Sequence, residues 1–222
     1  MSFQTEISKG GSWATETARR IADALPGGGA LVLTGGTTVE PLLPQLAAKK
    51  SDWTGVEIAF SDERCVPPDD GASNYGMARR LLLDAAEPAA VHRMKGELDP
   101  AQGAADYHSS IAPLVARGFD LLLLGMGADA HVGALFPGSP ALEATTFCAW
   151  VDRPDGMKGL TLTPPAMLSA KKILLLVTGS QKADTVRRAI QGDESSDTCP
   201  VRLLASHPDV TFLLDDAAAA AL

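Results

Sequence analysis

Four short stretches of this chain carry side chains that could do chemistry, and each follows a run of apolar residues. Residues 119–138 read FDLLLLGMGADAHVGALFPG: an apolar run suited to a buried strand empties into glycines, and Asp129 and His131 follow, two residues apart. Histidine is the side chain whose ordinary pKa suits a general base near neutral pH, and a neighbouring carboxylate can fix its tautomer. Residues 30–36, ALVLTGG, also end in glycine, and Gly35, Gly36, Thr37 and Thr38 open what comes next. Glycines let backbone N–H groups approach an anion, threonine hydroxyls add donors, and a helix N-terminus adds its positive end, so this loop suits a phosphate. The plainer reading of GGTT is an ordinary strand-to-helix turn. Asp62, Glu63 and Arg64 follow a third apolar run, VEIAF, and in isolation read as a charged surface turn. Lys182 follows a fourth, KILLLVTG, in the first turn of a helix. A lysine there opposes the helix dipole unless an anion lies nearby.

The elements that must position these groups follow from periodicity. Residues 13–25 place Ala14, Ala18, Ile21, Ala22 and Leu25 at helical spacing before Pro26 and three glycines end the segment. Residues 39–50 read as a second helix, with Pro41 tolerable in its first turn. Ser73 and Asn74 can cap a helix running to about Leu83. VHRM, residues 91–94, suits a short strand, residues 100–117 a helix broken near Pro113, and residues 181–190 a further helix. Near the end, VRLLASH and VTFLLD look like closing strands before a terminal alanine-rich helix. Residues 56–64, VEIAFSDER, read as a strand, with Asp62 to Arg64 held in the polar loop between it and the next helix, and residues 137–158, rich in proline and glycine, read as irregular. Strands alternating with helices predict a mostly parallel, Rossmann-like sheet in an α/β fold, and open sheets of that kind bind small molecules beyond their strand ends.

Composition narrows the class. The 222 residues are 45% hydrophobic, which suits one domain over residues 1–222 with a small lobe around 137–160. Formal charge is −8 and the few Lys/Arg pairs are scattered, which argues against nucleic acid or an anionic membrane as partner. A local cluster of donors can still bind an anion. Cys65, Cys148 and Cys199 show no CxxC spacing, so a reducing, cytoplasmic setting is the natural reading. No apolar run approaches membrane-spanning length, and four histidines without an HExxH pattern give little support for a metal. Gly125, Gly127 and Ala130 satisfy a GxGxxA dinucleotide pattern, but Gly133, Pro137, Gly138 and Pro140 interrupt the helix it requires. A GxSxG elbow is absent, which disfavours a serine hydrolase.

Taken together and in order, GGTT (35–38), SDERCVP (61–67), the 119–138 stretch and TGSQKA (178–183) resemble the 6-phosphogluconolactonases. The resemblance implies a three-layer α/β/α fold, a sugar-phosphate substrate, no cofactor, and hydrolysis of 6-phospho-D-glucono-1,5-lactone in the pentose phosphate pathway. It assigns substrate phosphate to Gly35, Gly36, Thr37, Thr38 and Lys182, substrate oxygens to Arg64 and Asp62, and catalysis to His131 with Asp129 and Arg64. His92, His108 and His207 keep structural readings. Two departures stand out. The family's GEDGH appears as Gly127-Ala128-Asp129-Ala130-His131, so Ala130 occupies a glycine position. If that position needs positive φ, alanine costs roughly 1 kcal/mol or more. A basic residue expected two positions before Thr161 is replaced by Gly159, which makes neighbouring Lys158 the candidate third cation. Alternatives are a glucosamine-6-phosphate deaminase, which shares the glycine loop and a D-x-H motif, and a sugar-phosphate sensor that has lost turnover. Oligomeric state is left open.

Overall fold

The computed structural model describes residues 3–222. Its strands are β1 (Gln4–Ser8), β2 (Gly29–Leu33), β3 (Val56–Phe60), β4 (Asp62–Arg64), β5 (Ala90–Val91), β6 (Leu121–Gly125), β7 (Cys148–Asp152), β8 (Lys158–Leu162), β9 (Ile173–Val177) and β10 (Val210–Asp215). The helices are α1 (Trp13–Ala24), α2 (Leu42–Lys49), α3 (Asn74–Ala78), α4 (Asp84–Ala86), α5 (Pro100–Arg117), α6 (Pro164–Met167) and α7 (Ala183–Gln191). Seven strands form one sheet in the order β1-β10-β9-β6-β2-β3-β5, every pair parallel. The other three make an antiparallel sheet, β4-β8-β7.

Side chains alternate across the large sheet. Leu31, Leu33, Leu121 and Leu123 pack on one face against Trp13, Ala18 and Ile21 of α1 and Leu42, Leu43 and Leu46 of α2. Val32, Leu122 and Leu124 face the other way, toward Tyr107, Ile111 and Leu114 of α5. Burial on both faces is why these strands are written as unbroken apolar runs. Chain order also fixes where ligands can sit. From β2 the sheet grows through β3 to β5 in one direction, and then from β6 through β9 and β10 in the other. The crevice where the direction reverses lies at the carboxyl ends of β2 and β6, the general binding position in open α/β sheets.

Several local expectations change. Asp62–Arg64 is neither a loop nor a continuation of β3 but a separate strand, recruited by β8. Residues 137–158 are not irregular throughout, since β7 lies within them and pairs with β8. Helix α5 runs through Pro113 without a break: Pro113 and Ser109 are both exposed, so the carbonyl that loses its N–H partner meets water. The second helix begins only at Leu42, β5 stops at Val91, and residues 200–206 form a 3-10 helix rather than a strand. The alanine-rich end, residues 216–221, forms turns, too short to repay helix nucleation. Edge strand β1 had no signal among the apolar runs, because four of its five residues are exposed.

Candidate active site

One open cleft gathers the strand-end groups: Gly35, Gly36, Thr37 and Thr38 after β2, Asp62 and Arg64 on β4, Gly127 and His131 after β6, and Lys182 after β9. Asp129 stands behind His131. Lys158 is not brought in.

After β6 the chain doubles back on itself. Val132 bridges Met126, Gly127 N–H donates to the His131 carbonyl at 3.0 Å, and Ala130 N–H donates to the Gly127 carbonyl at 3.1 Å. This tight loop brings His131 Nδ1 to 2.6 Å from Asp129 Oδ1, while the ring of Phe136 lies 4.6 Å from the imidazole, centroid to centroid. Partial burial pushes the Asp129 carboxyl up, but the hydrogen bond and charge of His131 outweigh it and hold the group below its ordinary value. An ionised Asp129 can only accept, so Nδ1 carries a proton, and in the neutral imidazole it is Nε2 that keeps the lone pair. Gly127 permits this: a Cβ there would lie 2.2 Å from His131 Nδ1 and 2.5 Å from Asp129 Oδ1. Gly127→Ala should therefore displace the pair and lower kcat about tenfold or more, as steady-state kinetics would read. Unchanged kcat would mean that the dyad geometry does not matter to the rate.

Ala130 has φ of +70° and is fully buried. The left-handed conformation costs about 1–2 kcal/mol. Burying its methyl group returns roughly 0.8 kcal/mol, and alanine's stiffer unfolded chain returns about 0.4–1 kcal/mol. Those contributions nearly cancel. Ala130→Gly is expected to shift Tm by less than about 4 °C, measured by thermal melts, and to leave kcat close to wild type. A large stabilisation would show that the strain is uncompensated.

The small sheet explains the other side of the cleft by its pleat. Asp62 and Arg64 share one face, opposite Thr161 and Gly159 of β8, while Glu63 between them points the other way. Asn74 Nδ2 donates to Asp62 Oδ2 at 3.1 Å and Ser61 Oγ to Asp62 Oδ1 at 2.9 Å, which aims the carboxylate into the cleft. Asn74 also lies against Gly35, where a Cβ would meet its Oδ1 at 1.9 Å. Buried Glu63 accepts from the N–H groups of Arg64, Asn74 and Tyr75 and from Ser73 Oγ, so it ties β4 to the start of α3. Burial nevertheless pushes its carboxyl above the ordinary value. Ser73 caps α3 by accepting from Gly76 N–H. Arg64 donates through Nη1 to the Ala72 carbonyl at 2.7 Å, and its buried Nε has no partner within the protein.

Lys158 sits one residue from Gly159, and in a strand one residue is the opposite face. Its Nζ contacts Asp152 at 3.1 Å and lies over Trp150, 4.2 Å from the ring centroid. The expected third cation is therefore Arg153, which lines the cleft from the turn of the β7–β8 hairpin. Sequence reading missed it. The signal was available: Pro154-Asp155-Gly156 is a turn sequence, and a hairpin there gives Arg153 the parity of Val151 and Gly159.

Lys182 makes no ion pair among the described residues. Burial lowers its pKa, opposed by the charge of Asp129, so an anion beside it would be favoured. Thr38 and Thr178 hydroxyls meet at 3.1 Å and link the β2 loop to the Lys182 segment across the end of β6. Thr185 of α7 donates to the Ala128 carbonyl, which fastens the histidine loop to the same helix. Among the described residues, no three His, Cys, Asp or Glu side chains are grouped to hold a metal, and no helix is long and apolar enough to cross a membrane. His92 pairs with Glu57 and Ser110, His108 accepts from Phe147 N–H, and His207 bonds the Ala170 carbonyl.

Comparison with known proteins places this arrangement in context. Residues 10–212 match the family described as glucosamine-6-phosphate isomerases/6-phosphogluconolactonase. A 6-phosphogluconolactonase of Mycobacterium tuberculosis is 38% identical over 221 residues, covering 90% of this chain and 88% of its own. The solved 6-phosphogluconolactonase from Trypanosoma cruzi superposes with a TM-score of 0.87 at 26% identity, over 100% of this chain and 98% of that one. A monomeric glucosamine-6-phosphate deaminase superposes with a TM-score of 0.88 at 24% identity, over 99% and 100% of the two chains, a likeness of fold alone.

Proposed function

Because the chain belongs to the glucosamine-6-phosphate isomerase/6-phosphogluconolactonase family, we propose that it hydrolyses 6-phospho-D-glucono-1,5-lactone to 6-phosphogluconate, in the cytoplasm, as a step of the oxidative pentose phosphate pathway. The observation that carries this reading is the His131–Asp129 pair held at 2.6 Å beside a cleft bordered by Lys182 and the Gly35–Thr38 donors. The free thiols of Cys65, Cys148 and Cys199 support the cytoplasmic setting.

His131 Nε2 takes a proton from water as the water oxygen attacks the lactone carbonyl carbon. Asp129 steadies the imidazolium that forms. Negative charge gathers on the carbonyl oxygen, where a guanidinium is well suited to meet it; Arg64, which lines the cleft, takes that role in this reading. Collapse of the tetrahedral intermediate breaks the bond to the ring oxygen, which recovers the proton from His131, and the product leaves as a carboxylate. A strained cyclic ester needs no covalent enzyme intermediate for this. Gly36, Thr37, Thr38 and Lys182 hold the phosphate, and Asp62 accepts from sugar hydroxyls.

The test is lactone opening measured against the spontaneous background, since this substrate opens unaided. Acceleration proportional to enzyme, with no ammonium released from glucosamine 6-phosphate, supports the proposal. Ammonium release would assign the chain to the deaminase activity. Binding of 6-phosphogluconate without acceleration would make it a sensor.

A further inference from the structure

Arg153 is a cation whose side chain is only 10% exposed, held from three sides. Asp155 takes one edge of the guanidinium: Nε donates to Oδ2 at 3.1 Å and Nη2 donates to the same oxygen at 3.0 Å. Phe136 lies beneath, its ring centroid 5.6 Å from Cζ. The aliphatic stem crosses Gly159, where a Cβ would stand 3.0 Å from Cδ and 3.4 Å from Cγ. Nη1 donates to no acceptor among the described residues, and the side chain borders the cleft.

We infer that Arg153 is a phosphate-binding residue, reaching across Gly159 so that Nη1 meets the substrate's phosphate opposite Lys182. This rests on the sugar-phosphate reading above. Charge balance is the first argument. A sugar phosphate brings about −1.5 to −2 charges at neutral pH, whereas without Arg153 the lining holds Arg64 and Lys182 against Asp62. One of those two cations is already engaged with the Ala72 carbonyl. Arg153 adds a third cation to the lining itself, its Asp155 partner lying outside that lining, and a planar fork suits phosphate better than a second ammonium. Preorganisation is the second argument. Asp155, Phe136 and the bare Cα of Gly159 fix the guanidinium, so little side-chain entropy is lost when it binds.

Four proteins test this: wild type, Arg153→Ala, Gly159→Arg, and Arg153→Ala combined with Gly159→Arg. Each is assayed on 6-phosphogluconolactone and on unphosphorylated gluconolactone. Arg153→Ala should raise KM for the phosphorylated lactone by about tenfold or more, with kcat nearly kept and little change on the unphosphorylated one. Gly159→Arg should also weaken binding, because two arginine stems compete for one space. The double variant should recover much of the loss, since truncation frees that space for an arginine from position 159. Such recovery also shows that the variants fold. Equal losses on both lactones, an unchanged KM in Arg153→Ala, or a double variant no better than the single ones would overturn the inference. Wild type that accelerates neither lactone would instead sink the lactonase reading itself.

Discussion

Replacing His131 by alanine should lower kcat for lactone hydrolysis by about 100-fold or more, the usual scale for losing a general base, while affinity for 6-phosphogluconate stays near wild type. The two readouts separate because Lys182 and the β2 loop reach the cleft from other strands than His131. Asp129→Asn should also lower kcat. An asparagine still occupies the position 2.6 Å from Nδ1, but its amide can present N–H to the ring and favour the wrong tautomer. The rate should then be lost with KM nearly constant. If His131→Ala turns over near the wild-type rate, the base lies elsewhere and the tight loop after β6 has some other purpose.

Lys182→Met should act on the other kinetic constant. A charge-assisted contact to phosphate contributes about 2–3 kcal/mol, so kcat/KM for 6-phosphogluconolactone should fall roughly 30- to 150-fold. Unphosphorylated gluconolactone should be hydrolysed almost as before. Methionine fills the same half-buried space, which keeps the packing and isolates the charge. Burial already lowers the Lys182 pKa, so the ammonium is held at some cost that an anionic ligand relieves. A matched loss on both substrates would mean that Lys182 acts on the ring or on the fold, not on the phosphate.

The parts of this site that were legible in the sequence are those written as long apolar runs ending in glycine. LLLLG and ALVLTGG announce buried strands, and parallel topology puts their ends together, so Gly35–Thr38, His131, Asp129 and Lys182 could be placed from spacing alone. Short strands carry no such signal. Asp62–Arg64 is three residues long and polar, and becomes a strand only because β8 pairs with it. The same sheet decides between two cations. Lys158 and Arg153 are equally plausible by composition, and only hairpin parity turns one to Trp150 and the other to the cleft. Pro113 shows the converse error: a breaker read locally is harmless where the orphaned carbonyl faces water. Asn74 could be read as a helix-start residue, whereas its hold on Asp62 depends on a contact twelve residues back in the chain.

Edge strand β1 carries a consequence for how the chain is assembled. Gln4 to Ser8 align one for one with Thr211 to Asp215, so β1 cannot pair until β10, far along the chain, has been made. Closing a loop of that length costs only modestly more entropy than closing one half as long, but it imposes an order. The β2-to-β10 body can complete its core first, and β1 then zips onto an edge already formed. Because the two strands run parallel, Gln4 lies beside the start of β10, and the residues that follow Asp215 leave from the opposite end of the sheet.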